Sequence, residues 1–69
     1  MGFRTYYTIN TESRSIENVE SFEKDGEFCK IEHYPNVRCM TEDVLLIQPE
    51  KKYIPMELIV DIDEHEYRV

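Results

Sequence analysis

The sequence predicts a mainly β protein with one domain spanning residues 1–69, built as a small antiparallel sheet or partly open barrel of about five or six strands. Three observations favour this fold class. The 69 residues leave room for a single core. Short runs of β-branched and aromatic residues alternate with turn signals. The segments between these runs are too short for the crossovers of a parallel sheet. The alternative is an α+β fold with one short helix within residues 12–24.

Residues 2–10 are predicted to form the first strand, because aromatic and β-branched side chains dominate this segment and it contains no helix signal. Side chains alternate between the two faces of a strand. Tyr6 is therefore expected on the outer face, where its ring is a candidate contact for a partner. The opposite face is assigned to the core and carries Phe3, Thr5, Tyr7 and Ile9.

Residues 12–24 are open to two interpretations, of which a short amphipathic helix is the first. Ile16, Val19 and Phe22 recur at every third position, with polar residues in the gaps. Residues that commonly cap helices precede this repeat, and Gly26 follows it as a stop signal.

A β-hairpin is the second interpretation of the same segment. The Asp25-Gly26 pair is a strong hairpin signal. It would join strands over residues 19–24 and 27–33 and place Phe22 opposite Cys29.

Two further strands are predicted on the C-terminal side of this segment. A tight turn at Tyr34-Pro35-Asn36 separates a strand over residues 27–33 from one over residues 37–40. Residues 43–48 are predicted as the next strand, because the apolar run Val44-Leu45-Leu46-Ile47 is closed by Gln48 and Pro49. Residues 49–52 are then expected to form a polar turn.

The C-terminal segment is predicted to form a hairpin. The segment from Met56 to Asp63 has a period of two, which is typical of a strand with one buried face. The face predicted to be buried carries Met56, Leu58, Val60 and Ile62, and the other carries Glu57, Ile59, Asp61 and Asp63. A turn at Asp63-Glu64 would return the chain to Val69. The cross-strand pairs would then be Ile62 with His65, Val60 with Tyr67, and Leu58 with Val69.

The sequence contains the donors of a structural zinc site, but their spacing is unfavourable. Two thiols and two imidazoles make a complete ligand set, yet no Cys-x2-Cys knuckle begins it. We therefore expect no metal and no cofactor, and we keep a zinc-stabilised domain only as a distant alternative. The four donors are Cys29, His33, Cys39 and His65.

No motif indicates an enzyme. Cys29 and His33 lie four residues apart on one predicted strand, about 13 Å at the rise of a strand, which is too far for a thiol to be activated. The acidic run from Asp61 to Glu66 lacks the glycine of a calcium loop. We expect no catalytic residues.

The cysteine content and the N-terminal residues predict a cytoplasmic protein. Two cysteines are fewer than secreted mini-proteins of this size carry, and the first residues contain no apolar signal segment. Reduced thiols are therefore expected. Because so small a core is only marginally stable, we also expect a homodimer.

The charge balance argues against several classes of partner. Eight basic residues stand against fifteen acidic ones, a net charge of −7, which disfavours direct binding to nucleic acid or to an anionic membrane. A protein partner with a basic surface fits better. The candidate contact residues are the acids Glu57, Asp61, Asp63, Glu64 and Glu66, together with Tyr6 and Tyr53.

The sequence therefore predicts a non-catalytic protein-binding module, an inhibitor or adaptor that presents an acidic C-terminal hairpin. Size and acidity are similar to those of small accessory proteins of phages and other mobile elements, and this favours an inhibitor. The alternative is a structural or self-associating subunit that uses an open sheet edge.

Overall fold

The computed structural model describes residues 2–69, except for the side chain of Leu45. It confirms the mainly β, antiparallel fold class. Within the described residues there are five strands, two short 3₁₀ turns and no α-helix. The strands are β1 (Phe3–Thr11), β2 (Ser15–Asp25), β3 (Phe28–His33), β4 (Glu50–Pro55) and β5 (Ile59–Arg68), and the 3₁₀ turns are η1 (Glu42–Leu46) and η2 (Met56–Leu58).

The strands form one antiparallel sheet with the order β4-β3-β2-β1-β5. The first four strands follow each other in the sheet as they do in the chain, and β5 then pairs with the free side of β1. Consequently β4 and β5 are the two edges of the sheet.

The three residues of η2 require the sheet to coil strongly. In a flat sheet, edge strands separated by four strand spacings would be about 19 Å apart. The step from Pro55 to Ile59 spans at most about 14 Å. These two residues also lie at opposite ends of the sheet, beside Phe28 and Thr11 respectively. The sheet therefore curls until the end of β4 approaches the start of β5.

This coiling encloses the main core on the inner face of the sheet. Tyr7 and Ile59 pack against its margin. Ile9 is fully buried and Tyr7 half-buried, as predicted for the core face of β1, but Phe3 and Thr5 are exposed because β1 extends beyond the core. The buried members of this inner core are Ile9, Ile16, Val19, Cys29, Ile31 and Ile54.

A second, smaller cluster covers the outer face of β1 and β5. The segment between β3 and β4 supplies its buried residues, Tyr34, Met40 and Val44. Tyr6 and Tyr67 pack against them. Tyr6 therefore lies on the outer face, as predicted, but the β3–β4 segment folds over it and leaves its ring half-buried, so it is not the exposed aromatic that was expected.

Residues 12–24 adopt the hairpin and not the helix. The three-residue repeat that favoured a helix comes from two irregularities in β2. One lies between Ile16 and Val19 and the other between Val19 and Ser21. Each adds a residue that resets the alternation of side chains. As a result Ile16, Val19 and Phe22 all face inward at a spacing of three.

The β2–β3 turn is centred one residue later than predicted. Asp25 pairs with Phe28, so Gly26 and Glu27 are the two central residues of the turn. Gly26 has φ +66°, as the first central position of a type II′ turn requires. Phe22 therefore pairs with Ile31, and the predicted pairing with Cys29 is wrong.

The chain between β3 and β4 contains no strand, contrary to prediction. The turn at Tyr34 is confirmed, since the Val37 N–H donates to the Tyr34 carbonyl at 3.4 Å. Residues 37–40, however, form an irregular loop, and residues 43–48 contain most of η1. The predicted turn at residues 49–52 instead begins β4.

The prediction of a C-terminal hairpin is also wrong. The chain runs from Ile59 to Arg68 as one strand, and Asp63 and Glu64 pair with β1 where a turn was expected. Met56 to Leu58 form η2 and do not belong to a strand. Within the alternating segment only residues 59–62 lie in a strand, and there Val60 is 64% exposed while Ile59 packs against the inner core, so the predicted buried face is wrong as well. The partner of this strand, β1, lies at the other end of the chain.

Candidate functional site

The β5 edge is the part of the structure where most of the predicted contact residues meet. β5 is ten residues long and pairs with β1 along one side only. Four of the five candidate acids lie on it and all four are exposed: Asp61, Asp63, Glu64 and Glu66.

Strand alternation divides these four acids between the two faces of the sheet. Asp61 and Asp63 lie opposite Asn10 and Thr8, on the outer face. Glu64 and Glu66 lie opposite Tyr7 and Thr5, on the inner face. The open backbone edge of β5 is therefore flanked by carboxylates on both sides.

Asn10 holds the two outer carboxylates in place. Its Nδ2 donates to Asp61 Oδ1 at 2.6 Å and to Asp63 Oδ2 at 3.0 Å. Ser15 Oγ donates to Asn10 Oδ1 at 2.6 Å, which fixes the orientation of the amide. One neutral donor thus positions two like charges that lie two residues apart on the strand.

Tyr6 is near this edge but is not a free aromatic surface. Its ring centroid lies 4.9 Å from that of His65 and 5.7 Å from that of Tyr67. His65 Nε2 is 3.1 Å from Thr8 Oγ1. The ring is half-buried, so Tyr6 packs against side chains of β5 and offers little area to a partner.

The two remaining candidates lie elsewhere. Glu57 is in η2, at the rim of an open groove of about 490 Å³ whose apolar wall contains Phe28, Pro55 and Met56. Tyr53 is 54% exposed on β4, the opposite edge strand. The structure therefore brings together four of the seven predicted contact residues, with Tyr6 behind them.

The donors considered for zinc are dispersed. Cys29 is buried in the inner core, and burial raises the pKa of its thiol. Cys39 is exposed in the β3–β4 segment, and both cysteines are free. His65 lies on the outer face of β5. Among the described side chains, no group of three or more His, Cys, Asp and Glu is arranged to hold a metal ion.

A basic pocket is the feature that sequence reasoning missed. Arg14, His33 and Lys52 line one cavity of about 300 Å³. They come from the β1–β2 loop, the end of β3 and the start of β4. The only local signal was the Lys51-Lys52 pair, and alternation places just one of these lysines at the pocket.

Within residues 2–69 no helix is long and apolar enough to cross a membrane. Comparisons with protein-family models, curated proteins and solved structures found no match for this chain.

Proposed function

We propose that the protein is a non-catalytic protein-binding module that takes up an extended segment of a basic partner along the β5 edge. The observation that carries this proposal is the combination of an unpaired ten-residue strand edge with exposed carboxylates on both of its faces. An open edge supplies main-chain donors and acceptors to an added strand. The flanking side chains then select the charge of that strand.

The charge of the chain supports fast association with such a partner. No Lys or Arg occurs between Met56 and Glu66, and neither of the ion pairs within 4.0 Å among the described side chains involves an acid of β5. The net charge of −7 adds a long-range attraction for a basic surface. Salt should weaken this attraction, since the Debye length is only about 8 Å at physiological ionic strength.

An inhibitor or adaptor role follows from the chemistry of the partner. A basic surface that accepts this strand is one that would otherwise attract nucleic acid or another anion. Covering it with an acidic strand would block that ligand.

Self-association through β5 is the alternative, and its electrostatics are less favourable. Two β5 edges from different copies would bring Asp61, Asp63, Glu64 and Glu66 close to the same residues of the partner copy. Like charges opposite each other destabilise a strand pair. β4 is a poorer edge still, because it is short, carries two lysines and ends at Pro55. A homodimer would therefore have to use exposed apolar side chains, such as Phe3 or Val60, which lie at opposite ends of the β1–β5 pair and are each 64% exposed.

The test compares two charge reversals of equal size at different places. Glu64→Lys/Glu66→Lys changes the β5 edge, whereas Glu42→Lys/Asp43→Lys changes exposed acids of η1 by the same net charge. The probe is a fluorescent peptide of alternating lysine and threonine, followed by anisotropy. We expect the β5 variant to bind at least about tenfold more weakly, a change of roughly 1.4 kcal/mol, and the η1 variant to stay within about twofold.

A second peptide separates strand addition from simple charge attraction. N-methylation at alternate residues removes the backbone N–H groups along one edge of the peptide and keeps every lysine. If the peptide adds to β5 as a strand, methylation on one of the two edges should abolish binding. Equal loss in both charge variants, or full binding by both methylated peptides, would refute the proposal in favour of a merely solvated acidic surface. Sedimentation of the free protein at increasing salt tests the self-associating alternative, which predicts a dimer strengthened by screening.

A further inference from the structure

The basic pocket lies at the end of the coiled sheet where the β1–β2 loop, the end of β3 and the start of β4 meet. His33 pairs with Glu50, and Ile31 pairs with Lys52. His33 and Lys52 are therefore diagonal neighbours on the inner face, close enough for long side chains to converge. Arg14 closes the pocket from the loop that precedes β2.

The convergence of these three side chains is unusual for so acidic a chain. Only eight of its residues are Lys or Arg. Among the described side chains, the ion pairs within 4.0 Å are Arg4 with Glu20 and Lys30 with Glu23. Arg14 and Lys52 thus keep their hydrogen-bond donors available.

Two carboxylates also face this region. Glu17 lines the pocket wall, and Glu50 lies opposite His33 in the sheet. Burial lowers the pKa of the His33 imidazole, and Lys52 lowers it further. Glu50 acts in the opposite direction, and Arg14 again lowers the pKa. Among the charged groups, Lys52 therefore has the largest effect on the ring, followed by Glu50 and then Arg14.

We propose that the pocket formed by Arg14, His33 and Lys52 binds a small tetrahedral dianion, namely a phosphoryl group. A volume of about 300 Å³ suits a small ligand. The guanidinium fork of Arg14 and the ammonium of Lys52 donate charge-assisted hydrogen bonds from different elements. The imidazole of His33 completes the set when it is protonated.

The bound anion is coupled to protonation of His33. A dianion beside the ring offsets the repulsion from Arg14 and Lys52 and raises the pKa of the imidazole in the complex. Affinity should therefore be highest below the pKa of the free protein and should fall as pH rises through the pKa of the complex. Glu17 and Glu50 do not reverse the direction of this pH dependence, because both carboxylates are present in the free protein and in the complex.

The test is an NMR titration of the full chain with inorganic phosphate at constant ionic strength. The adjacent lysines give a matched pair of variants, since Lys52 lines the pocket while Lys51, its sequence neighbour, is exposed on the other face of β4. We expect Lys52→Gln to weaken binding at least about tenfold and Lys51→Gln to change it less than about twofold. The signals of His33 should shift on binding, and those of His65, on the outer face of β5, should not.

A pH series with sulfate, which stays doubly charged, tests the coupling to His33. Affinity should increase several-fold on acidification, and His33→Gln should remove this dependence. Arg14→Gln provides a second variant if Lys52→Gln fails to fold. Equal weakening by the two lysine variants, or equal shifts with acetate at the same ionic strength, would mean an adventitious ion only and would overturn the proposal. Peptide binding at β5 does not enter this experiment, so the two proposals stand or fall separately.

Discussion

Asn18 lies in the first irregularity of β2, between Ile16 and Val19, and anchors the β3–β4 segment, so its substitution gives a sharp test of the fold. The residue is 7% exposed and has φ 56°, in the left-handed region. Its Nδ2 donates to the Val37 carbonyl at 2.6 Å. Its own carbonyl accepts from the Tyr34 N–H at 3.1 Å. The perturbations are Asn18→Gly, Asn18→Ala and Asn18→Asp.

The first two substitutions separate the backbone from the side chain. Both remove the amide and leave the half-buried Val37 carbonyl without its donor, at a cost of about 1–3 kcal/mol. Alanine adds the left-handed strain of an L-residue, about 1–2 kcal/mol, which glycine avoids. A core of this size supplies only about 3–5 kcal/mol in total. We therefore expect Asn18→Ala to be close to unfolding and Asn18→Gly to remain mostly folded.

The aspartate substitution preserves the shape but reverses the hydrogen-bond chemistry. A carboxylate accepts and does not donate, so at neutral pH it would face the Val37 carbonyl with no proton between them. Burial and this carbonyl raise the pKa of the introduced carboxyl above its unfolded value of about 3.9. Its protonated form is therefore tolerated below that value, and stability is lost as pH rises through the folded pKa.

Urea unfolding is the assay for all three variants. The chain contains no tryptophan but has five tyrosines, so far-UV circular dichroism and tyrosine fluorescence are the appropriate signals. An Asn18→Ala variant as stable as Asn18→Gly would refute the left-handed backbone at this position. An Asn18→Asp variant whose stability relative to wild type does not change between acidic and neutral pH would refute the bond to Val37.

Two further predictions concern Tyr34 and the thiols. Burial raises the pKa of Tyr34 to about 12, with a hydrogen bond from its hydroxyl to Glu20 Oε2 at 3.0 Å contributing. Its contribution to stability is thus complete below the unfolded pKa of about 10 and is lost as pH rises towards 12. Tyr34→Phe should remove this alkaline dependence and cost about 1 kcal/mol in urea unfolding at neutral pH; an unchanged alkaline profile would contradict the buried hydroxyl. Cys39 is exposed and Cys29 buried with a raised thiol pKa, so one thiol should react with a disulfide reagent quickly and the second only on unfolding. Two equally fast thiols, or a Cys29–Cys39 disulfide in protein from cytosol, would contradict this arrangement.

The sequence was sufficient to predict the elements that depend on contacts between neighbouring parts of the chain. β1 was predicted over residues 2–10 and found over Phe3–Thr11, and β3 was predicted within one residue of its start. The tight turn at Tyr34 and the hairpin alternative at Asp25-Gly26 both depend on local backbone preferences. Such preferences depend on a few adjacent residues, and this is why the sequence alone could identify both turns.

The errors arise where an element depends on a distant partner. β5 pairs with β1, and Asn10 contacts Asp61, which is 51 positions away in the chain. A hairpin within the C-terminal segment satisfied the same alternation, and nothing local excluded it. Apolar character was equally misleading at η1, where Val44 enters the second cluster while Leu46 is 88% exposed. Val44 is the buried residue of that segment and packs in the cluster that covers Tyr6, outside the sheet.

The outward placement of the acids was predictable, but their division between two faces was not. Asp61, Asp63, Glu64 and Glu66 were expected outside the core and are exposed. Their arrangement around an edge required knowledge of the strand order. The basic pocket required still more, because Arg14, His33 and Lys52 meet only through the register of β2, β3 and β4.

The fold thus brings acidic side chains together at the β5 edge and basic ones at the pocket, although both kinds are distributed along the chain. The two proposed sites can therefore be distinguished in one experiment. Both sites bind oppositely charged ligands, so salt weakens both and does not distinguish them. The pH does distinguish them in a His65→Gln background, which removes the histidine of β5 and leaves His33 as the one histidine of the chain. Carboxylates do not ordinarily titrate between about pH 6 and 8. Over that range, peptide binding at β5 should stay constant while sulfate binding falls. A parallel decline of both would mean that the ligands respond to the net charge of the whole protein, and neither site would then have the local character inferred from its geometry.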